Sequence, residues 1–112
     1  MIRSEKLDNS IELISFEGID KLNAPVAEEA KELISRFFDT PSARVIIDLG
    51  NIKYIDSSGF GCLLSAMKAS RNNYGIIKIF SPDPDIMALF RSLQLHTVFE
   101  LYDNLESCIS SF

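Results

Sequence analysis

Apolar residues in this chain alternate between two spacings, and that alternation restricts the fold more than any other feature. Four stretches place apolar residues at the i, i+3, i+4, i+7 spacing of amphipathic helices. Their apolar faces run from Val26 to Phe38, from Phe60 to Met67, from Ile86 to Leu93 and from Leu105 to Phe112. Short runs rich in Ile, Val, Leu and Phe lie between them and are typical of strands. The strand-like runs are Ile11 to Phe16, Val45 to Leu49 and Ile76 to Phe80, with an edge strand expected near Ile2 to Leu7 and a very short one at Val98-Phe99.

The resulting order, β-β-α-β-α-β-α-(β)-α, predicts an α/β fold in one domain spanning residues 1–112. We expect a mixed, mainly parallel sheet of four to five strands packed against about four helices. Strands joined by one crossover helix are parallel, so their carboxyl ends share one edge of the sheet. Three loops therefore converge there, at residues 17–23, 50–58 and 81–85, where open α/β sheets bind ligands and partners.

Two details of the second helix follow from its sequence. The apolar stripe should comprise Phe60, Leu63, Leu64 and Met67, with most of it facing the core. Phe60 and the exposed apolar residues near it are then available as the apolar part of a contact surface. The segment Asn72-Asn73-Tyr74-Gly75 should end the helix, with Gly75 as the glycine cap.

The charge balance restricts the classes of partner. In 112 residues, 11 Lys+Arg are set against 16 Asp+Glu, a formal net charge of -5. This disfavours nucleic acid and anionic membranes, which basic patches bind. The amino-terminal residues lack the apolar run of a signal peptide, and no segment approaches the roughly 18 apolar residues of a membrane span. We expect a cytoplasmic protein with no membrane span.

Cysteine and histidine usage predicts neither a metal site nor a cofactor. Cys62 and Cys108 stand in apolar surroundings, and no CxxC, CxxH or HxxxH spacing occurs. Both cysteines are predicted to be core residues.

The segment from Asp56 to Gly61 is the most informative one, because it lies between a strand-like approach and a strongly periodic helix. Ser and Asp are preferred helix N-caps, since their oxygens accept hydrogen bonds from free backbone N–H groups. That structural role alone explains the pattern. The same helix start also tolerates a phosphate, because free N–H groups and the positive end of the helix dipole lie there. A phosphoserine site is therefore a second interpretation.

The chain also matches a known family in two segments. Residues 45–49 lead through Tyr54-Ile55 into Asp56-Ser57-Ser58-Gly59-Phe60-Gly61, and Gly18-Ile19-Asp20 is followed by Asn23-Ala24-Pro25. This resembles the STAS domain family, and within it the bacterial anti-sigma factor antagonists. The first segment is similar to the family's strand, loop and Asp-Ser-(Ser/Thr)-Gly-apolar-Gly helix start. The second is similar to its Gly-Glu-(Ile/Leu)-Asp segment, except that Glu17 and Gly18 stand in swapped order, a departure that bears on the conformation of that loop more than on the fold.

The resemblance implies a partner-switching regulator and not an enzyme. Its unmodified form would bind an anti-sigma factor that is also a serine kinase, and phosphorylation would end that binding; a serine phosphatase would restore it. The family's acceptor follows the aspartate directly, which points to Ser57, with Ser58 as the alternative acceptor. The residues implied in partner binding are Asp20, Asp56, Ser58, Gly59 and Phe60.

Charge around Ser57 suggests how a phosphate would act. The predicted loop edge carries Asp20, Asp56, Asp83 and Asp85 against Lys21 and Lys53. A phosphate adds about -1.5 to -2 charges, and this edge has no arginine cluster to pair with it. We therefore expect phosphorylation to block a close-packed or acidic partner by charge and bulk, without refolding the domain.

Two other functions are open to the sequence. An enzyme with Ser57 as nucleophile would need an oriented base, but His96 is the only histidine and no GxSxG motif occurs. The paired carboxylates Asp83 and Asp85 are better explained by a turn and a helix cap than by a metal. The second alternative keeps the fold and makes the protein a non-catalytic STAS adaptor, in a lipid transporter or a stress-signalling scaffold.

Overall fold

The computed structural model describes all 112 residues and contains a mixed five-stranded sheet, a small two-stranded sheet and four α-helices. The strands are β1 (Ile2–Lys6), β2 (Ile11–Phe16), β3 (Lys21–Leu22), β4 (Arg44–Asp48), β5 (Tyr54–Ile55), β6 (Ile76–Phe80) and β7 (Glu100–Tyr102). The helices are α1 (Ala24–Phe37), α2 (Ser57–Asn72), α3 (Pro84–Ser92) and α4 (Leu105–Ser110). The main sheet has the order β1-β2-β4-β6-β7, and only β1 is antiparallel to its neighbour. The predicted fold class is confirmed.

The two faces of the main sheet are covered unequally. On one face, residues of β4 and β6 pack beneath α1, α2 and α3, where the buried helix residues include Ile34, Leu63 and Phe90. On the other face, only the short helix α4 covers the sheet, and Cys108 packs on Ile11 and Ile46. Both cysteines are buried as predicted. Desolvation in these cores raises the pKa of each thiol to about 11.

The last strand lies two residues later than predicted. Val98 and Phe99 do not form a strand, because the Phe99 N–H donates to the Leu95 carbonyl at 2.9 Å and closes the 3-10 turn at Leu95–Thr97. Phe99 is buried instead, with its ring edge-on to Phe90 at a centroid distance of 6.1 Å. The strand follows at Glu100–Tyr102.

The sequence prediction for the end of α2 was wrong about which residue makes the turn. Tyr74, with φ of 57°, occupies the left-handed conformation, and Gly75 does not. A Cβ on Gly75 would lie 2.7 Å from the Phe38 ring, so this glycine is required by a close contact. The Gly75 N–H still closes the helix by donating to the Ser70 carbonyl at 2.7 Å.

Most of the predicted apolar stripe of α2 faces the core, and one of its residues does not. Phe60 and Leu63 are buried and Met67 packs partly buried against the core, but Leu64 is 42% exposed. The buried side is completed by smaller residues, Cys62 and Ala66. The helix therefore presents an apolar side chain to solvent.

Candidate functional site

Three loops meet at the carboxyl edge of the sheet, as the topology predicts. The backbone carbonyl of Asp20 accepts hydrogen bonds from the N–H groups of Lys53 at 2.8 Å and Tyr54 at 3.2 Å. Parallel pairing of β3 with β5 continues this connection. The Lys53 ammonium lies 3.5 Å from the Asp83 carboxylate, which joins the third loop to the second. Residues distant in sequence thus form one surface around the start of α2.

The first of these loops contains the swapped pair Glu17-Gly18. Gly18 has a φ of 71°, the left-handed conformation that glycine adopts without strain, and no atom lies within 4 Å of a Cβ built on it. Backbone conformation therefore accounts for this glycine, and Asp20 still reaches the edge of the site.

Helix α2 begins with a cap supplied by Asp56. Its carboxylate oxygen Oδ1 accepts a hydrogen bond from the Gly59 N–H at 3.0 Å. A side chain at position 59 would not fit, since a Cβ would lie 2.5 Å from the carbonyl oxygen of Leu22 and 2.7 Å from Ile55. Asp56 and Gly59 together fix the direction of the helix and its distance from the small sheet.

Ser57 and Ser58 are the first two residues of α2, and both are exposed. Neither hydroxyl forms a hydrogen bond with another protein atom, because Asp56 already supplies the cap. Ser58 borders a shallow groove of about 310 Å³ between α1 and α2, whereas Ser57 lies outside it. The groove is lined by Ala24, Ala27, Glu28, Lys31, Ser58, Gly61, Cys62 and Ser65. Both hydroxyls are therefore open to solvent, and only Ser58 borders the groove.

The charged residues of the three loops at this edge are mainly acidic. Hydrogen bonding from the Asp85 N–H, with a further contribution from Lys53, lowers the pKa of Asp83, so this group is ionised at neutral pH. Because Lys53 is already paired with Asp83, Lys21 is the only other cation among the charged residues expected at this edge. Nothing in this arrangement is a prepared phosphate pocket.

Two residues expected to bind a partner lie in the interior. Gly59 is buried against Leu22, and Phe60 is 9% exposed with its ring edge-on to Phe90 at 5.3 Å. Their role in this conformation is to set the position of α2 rather than to offer contact area. The side chains of Asp20 and Ser58 are exposed and that of Asp56 is partly buried, so all three can be reached from solvent.

The other residues considered as catalytic or metal-binding candidates occupy a helix cap and a turn. Asp83 caps α3 by accepting the Asp85 N–H at 2.9 Å, so the pair forms the predicted turn and cap. His96 lies exposed in the 3-10 turn before β7. No group of three or more His, Cys, Asp or Glu residues is arranged to hold a metal ion.

The match to a family model agrees with this architecture. The STAS domain model matches residues 9–108. This chain therefore belongs to the STAS domain family, which confirms the resemblance read from the two sequence segments.

The individual proteins that this chain resembles include anti-sigma factor antagonists. The chain is 23% identical to BtrV of Bordetella bronchiseptica, named as an anti-sigma factor antagonist, over 96% of this chain and 90% of that protein. An anti-sigma factor antagonist from Mycobacterium paratuberculosis has a TM-score of 0.82 at 20% identity, covering 99% of this chain and 92% of the other. SpoIIAA, a Bacillus cell fate determinant solved in its phosphorylated form, has a TM-score of 0.73 at 19% identity, covering 99% and 98%. The fold is shared with both solved structures.

None of the four helices is both long enough and apolar enough to cross a lipid bilayer.

Proposed function

We propose that this protein is an anti-sigma factor antagonist that switches partners through phosphorylation of Ser57. The observation that carries the proposal is the exposed Ser57 hydroxyl at the first position of α2, released from capping by the Asp56–Gly59 hydrogen bond. The likeness to antagonists in sequence and fold supports it. In the unmodified state the protein binds an anti-sigma factor serine kinase, and the sigma factor held by that kinase is released.

Phosphorylation needs little from this chain beyond an accessible acceptor. The kinase transfers the γ-phosphoryl group of ATP to the Ser57 oxygen, which loses its proton, and ADP leaves. Ser57 has no hydrogen-bonded base of its own, so catalysis is supplied by the kinase and this protein is its substrate rather than an enzyme. A serine phosphatase completes the cycle by hydrolysing the phosphoserine. We expect the cycle to operate in the cytoplasm.

Release follows from charge and bulk at one point of the surface. The phosphate adds about -1.5 to -2 charges directly after Asp56, at the loop edge that also carries Asp20, with Lys53 already paired to Asp83. It also stands in the contact area formed by Asp20, Asp56 and Ser58. A closely packed partner cannot accommodate a dianion that lacks a complementary charge, so its dissociation becomes faster.

The decisive experiment incubates the protein with ATP and each candidate serine kinase from the same genome, and locates phosphate by mass spectrometry. We expect one phosphate on Ser57 that disappears in Ser57→Ala. Ser107→Ala is the matched control, because it removes an exposed hydroxyl near the start of another helix, α4, and should leave modification intact. Modification retained in Ser57→Ala and lost in Ser58→Ala would move the acceptor to Ser58.

Binding is tested separately with the kinase that modifies the protein. Ser57→Asp should weaken the complex measured by calorimetric titration, because it introduces a carboxylate where the phosphate would stand. Unchanged affinity would contradict the charge mechanism. If no kinase modifies the protein and it co-purifies with a transporter subunit instead, the adaptor function replaces this proposal.

A further inference from the structure

Strand β1 forms one edge of the main sheet, and its outer side is unpaired. Its only neighbour is β2, and all of its residues except Ile2 are exposed. Met1 and Glu17 exchange backbone hydrogen bonds at the start of this pairing. Hydrogen-bonded pairs alternate with non-bonded pairs along an antiparallel ladder, so the odd-numbered residues of β1 bond to β2. The N–H and C=O groups of Ile2, Ser4 and Lys6 therefore point to the open edge.

The order of charges along β1 is complementary to itself. Arg3 and Glu5 flank Ser4, and their side chains lie on the same face of the sheet. If a second copy pairs antiparallel about Ser4, Arg3 of each copy lies directly opposite Glu5 of the other. Pairing about Arg3 or about Glu5 would place two like charges opposite each other, which is destabilising. Charges on an edge strand usually prevent association, but here they favour a single symmetric register.

Both of these charges are available to a second copy. Glu5 forms no ion pair within the chain. The Arg3 side chain is 62% exposed while its guanidinium bonds the Glu17 carboxylate at 2.8 Å. A guanidinium has five N–H donors, so Arg3 can bond a second carboxylate without leaving the first.

The other face of the same edge is complementary as well. In this register Lys6 of the second copy lies opposite Ile2, on the face where Ile2 packs against the core under the helices. A shallow groove of about 350 Å³ opens there between β1 and α1, and it is lined by Met1, Ile2, Glu29, Glu32, Leu33 and Arg36. Its two carboxylates outnumber its one guanidinium, so the groove favours a lysine. Lys6 is free to enter it, because its side chain is 69% exposed and its ammonium lies 3.8 Å from Glu12.

We infer that β1 is the interface of a homodimer, in which two copies pair antiparallel about Ser4 and join their main sheets into one. The open N–H and C=O groups of each β1 are then satisfied by the other copy. A strand that is complementary to itself in both charge and backbone register favours a second copy over a different protein. The inference goes beyond the proposed function and does not depend on it, because the start of α2 takes no part in this pairing.

The test measures the mass of the full chain by sedimentation velocity from about 10 μM to about 1 mM, since small interfaces give weak complexes. We expect the wild type to dimerise as its concentration rises. Arg3→Glu and Glu5→Arg should each weaken the dimer by about tenfold or more, because each places like charges opposite at two symmetric positions. Lys68→Glu makes the same change in charge as Arg3→Glu at an exposed position of α2, and it should dimerise like the wild type. Circular dichroism checks that every variant is folded.

An equimolar mixture of the two charge variants gives the sharpest result. One variant carries glutamate at positions 3 and 5 and the other carries arginine at both, so opposite charges face each other again in a mixed dimer. We expect the mixture to dimerise at concentrations where each variant alone is a monomer. Ser4→Pro is an independent variant, because it removes an N–H that points to the open edge and breaks no hydrogen bond to β2. It should abolish the dimer and leave the fold intact, since edge strands accept proline at such positions.

Three results would overturn the inference. The first is a wild type that stays monomeric up to the highest concentration. The second is a dimer that Arg3→Glu, Glu5→Arg and Ser4→Pro all leave unchanged, which would place the interface on another surface. The third is a mixture that fails to restore the dimer, which would show that residues 3 and 5 do not face each other. No kinase takes part in these measurements, so each result is distinct from a failure of the proposed function.

Discussion

The carboxylate of Asp56 accepts the Gly59 N–H at 3.0 Å, so the aspartate, and not the serine beside it, caps helix α2. This separates two roles that the sequence alone leaves combined in Asp56-Ser57-Ser58. Helix stability depends on a residue that stays unmodified. Ser57 can therefore change its charge without removing the cap.

Substitutions at the two positions should separate stability from modification. Asp56→Ala should lower the free energy of unfolding by about 1 kcal/mol, because the Gly59 N–H loses its acceptor. Ser57→Ala should change it by less than about 0.5 kcal/mol, as is usual for exposed positions without partners. Urea denaturation measures both. A loss in Ser57→Ala as large as that in Asp56→Ala would show that Ser57 has a capping role.

Phosphorylation of Ser57 should leave the fold unchanged. The hydroxyl has no internal partner to lose, and no arginine cluster is present to draw a phosphate into a new arrangement. Backbone amide shifts in two-dimensional NMR should therefore change only in the three loops of the site and the first turn of α2. Shifts spreading into β1 or α4 would indicate a conformational switch instead.

The elements that the sequence predicts well are those specified by local periodicity. The four helices and the longer strands each contain a repeating apolar pattern, and the parallel order follows from their succession. The meeting of the Asp20 and Lys53 loops was predictable for the same reason. The charges at that edge could be anticipated, but their pairing, such as Lys53 with Asp83, could not.

The sequence predictions fail where tertiary packing, rather than local sequence, determines the structure. Strands β3 and β5 have two residues each, too few for a pattern, and they exist because each pairs with the other. Leu64 belongs to a helical apolar repeat, yet the smaller Cys62 and Ala66 fill the space facing the core. Phe38 requires a glycine at position 75, and the left-handed turn consequently falls on Tyr74. None of these contacts is visible in local sequence.

Asp48 should make stability depend on pH. Its pKa is raised by desolvation, which outweighs the hydrogen bond its carboxylate accepts from the Gly50 N–H at 2.8 Å. The folded state thus holds this proton more tightly than the unfolded state, and stability falls as the pH rises through the raised pKa. The desolvation penalty is greatest above the raised pKa, where the carboxylate is ionised.

Asp48→Asn removes the charge and keeps an oxygen acceptor for Gly50. It should raise the melting temperature at pH 7, with the advantage shrinking as the pH falls through the raised pKa and absent below the ordinary Asp pKa of 3.8. Melting curves of both proteins across that pH range measure the difference. A variant less stable than wild type at pH 7 would mean that the ionised carboxylate is stabilising.

Helix α4 is held to its face of the sheet by a buried lysine. The Lys78 ammonium donates to the Ser111 carbonyl at 3.0 Å and to its hydroxyl at 2.7 Å, and lies 4.6 Å from the Phe112 ring centroid. Lys78→Met keeps a side chain of similar length and removes both hydrogen bonds to Ser111. We expect α4 to open more often in this variant, while the core under α1 and α2 stays intact.

The alkylation rates of the two cysteine thiols can be used to measure the opening of α4. Both thiols are buried, and with a pKa of about 11 each they are protonated at pH 8, so alkylation requires local opening. In Lys78→Met, labelling of Cys108 should accelerate by about tenfold, the effect of losing roughly 1.4 kcal/mol of hydrogen bonding. Labelling of Cys62 should not change, and mass spectrometry of the two peptides distinguishes the sites. Lys68→Met, an exposed change on α2, is the control. Equal acceleration at both cysteines would show that α4 opens only when the whole domain unfolds.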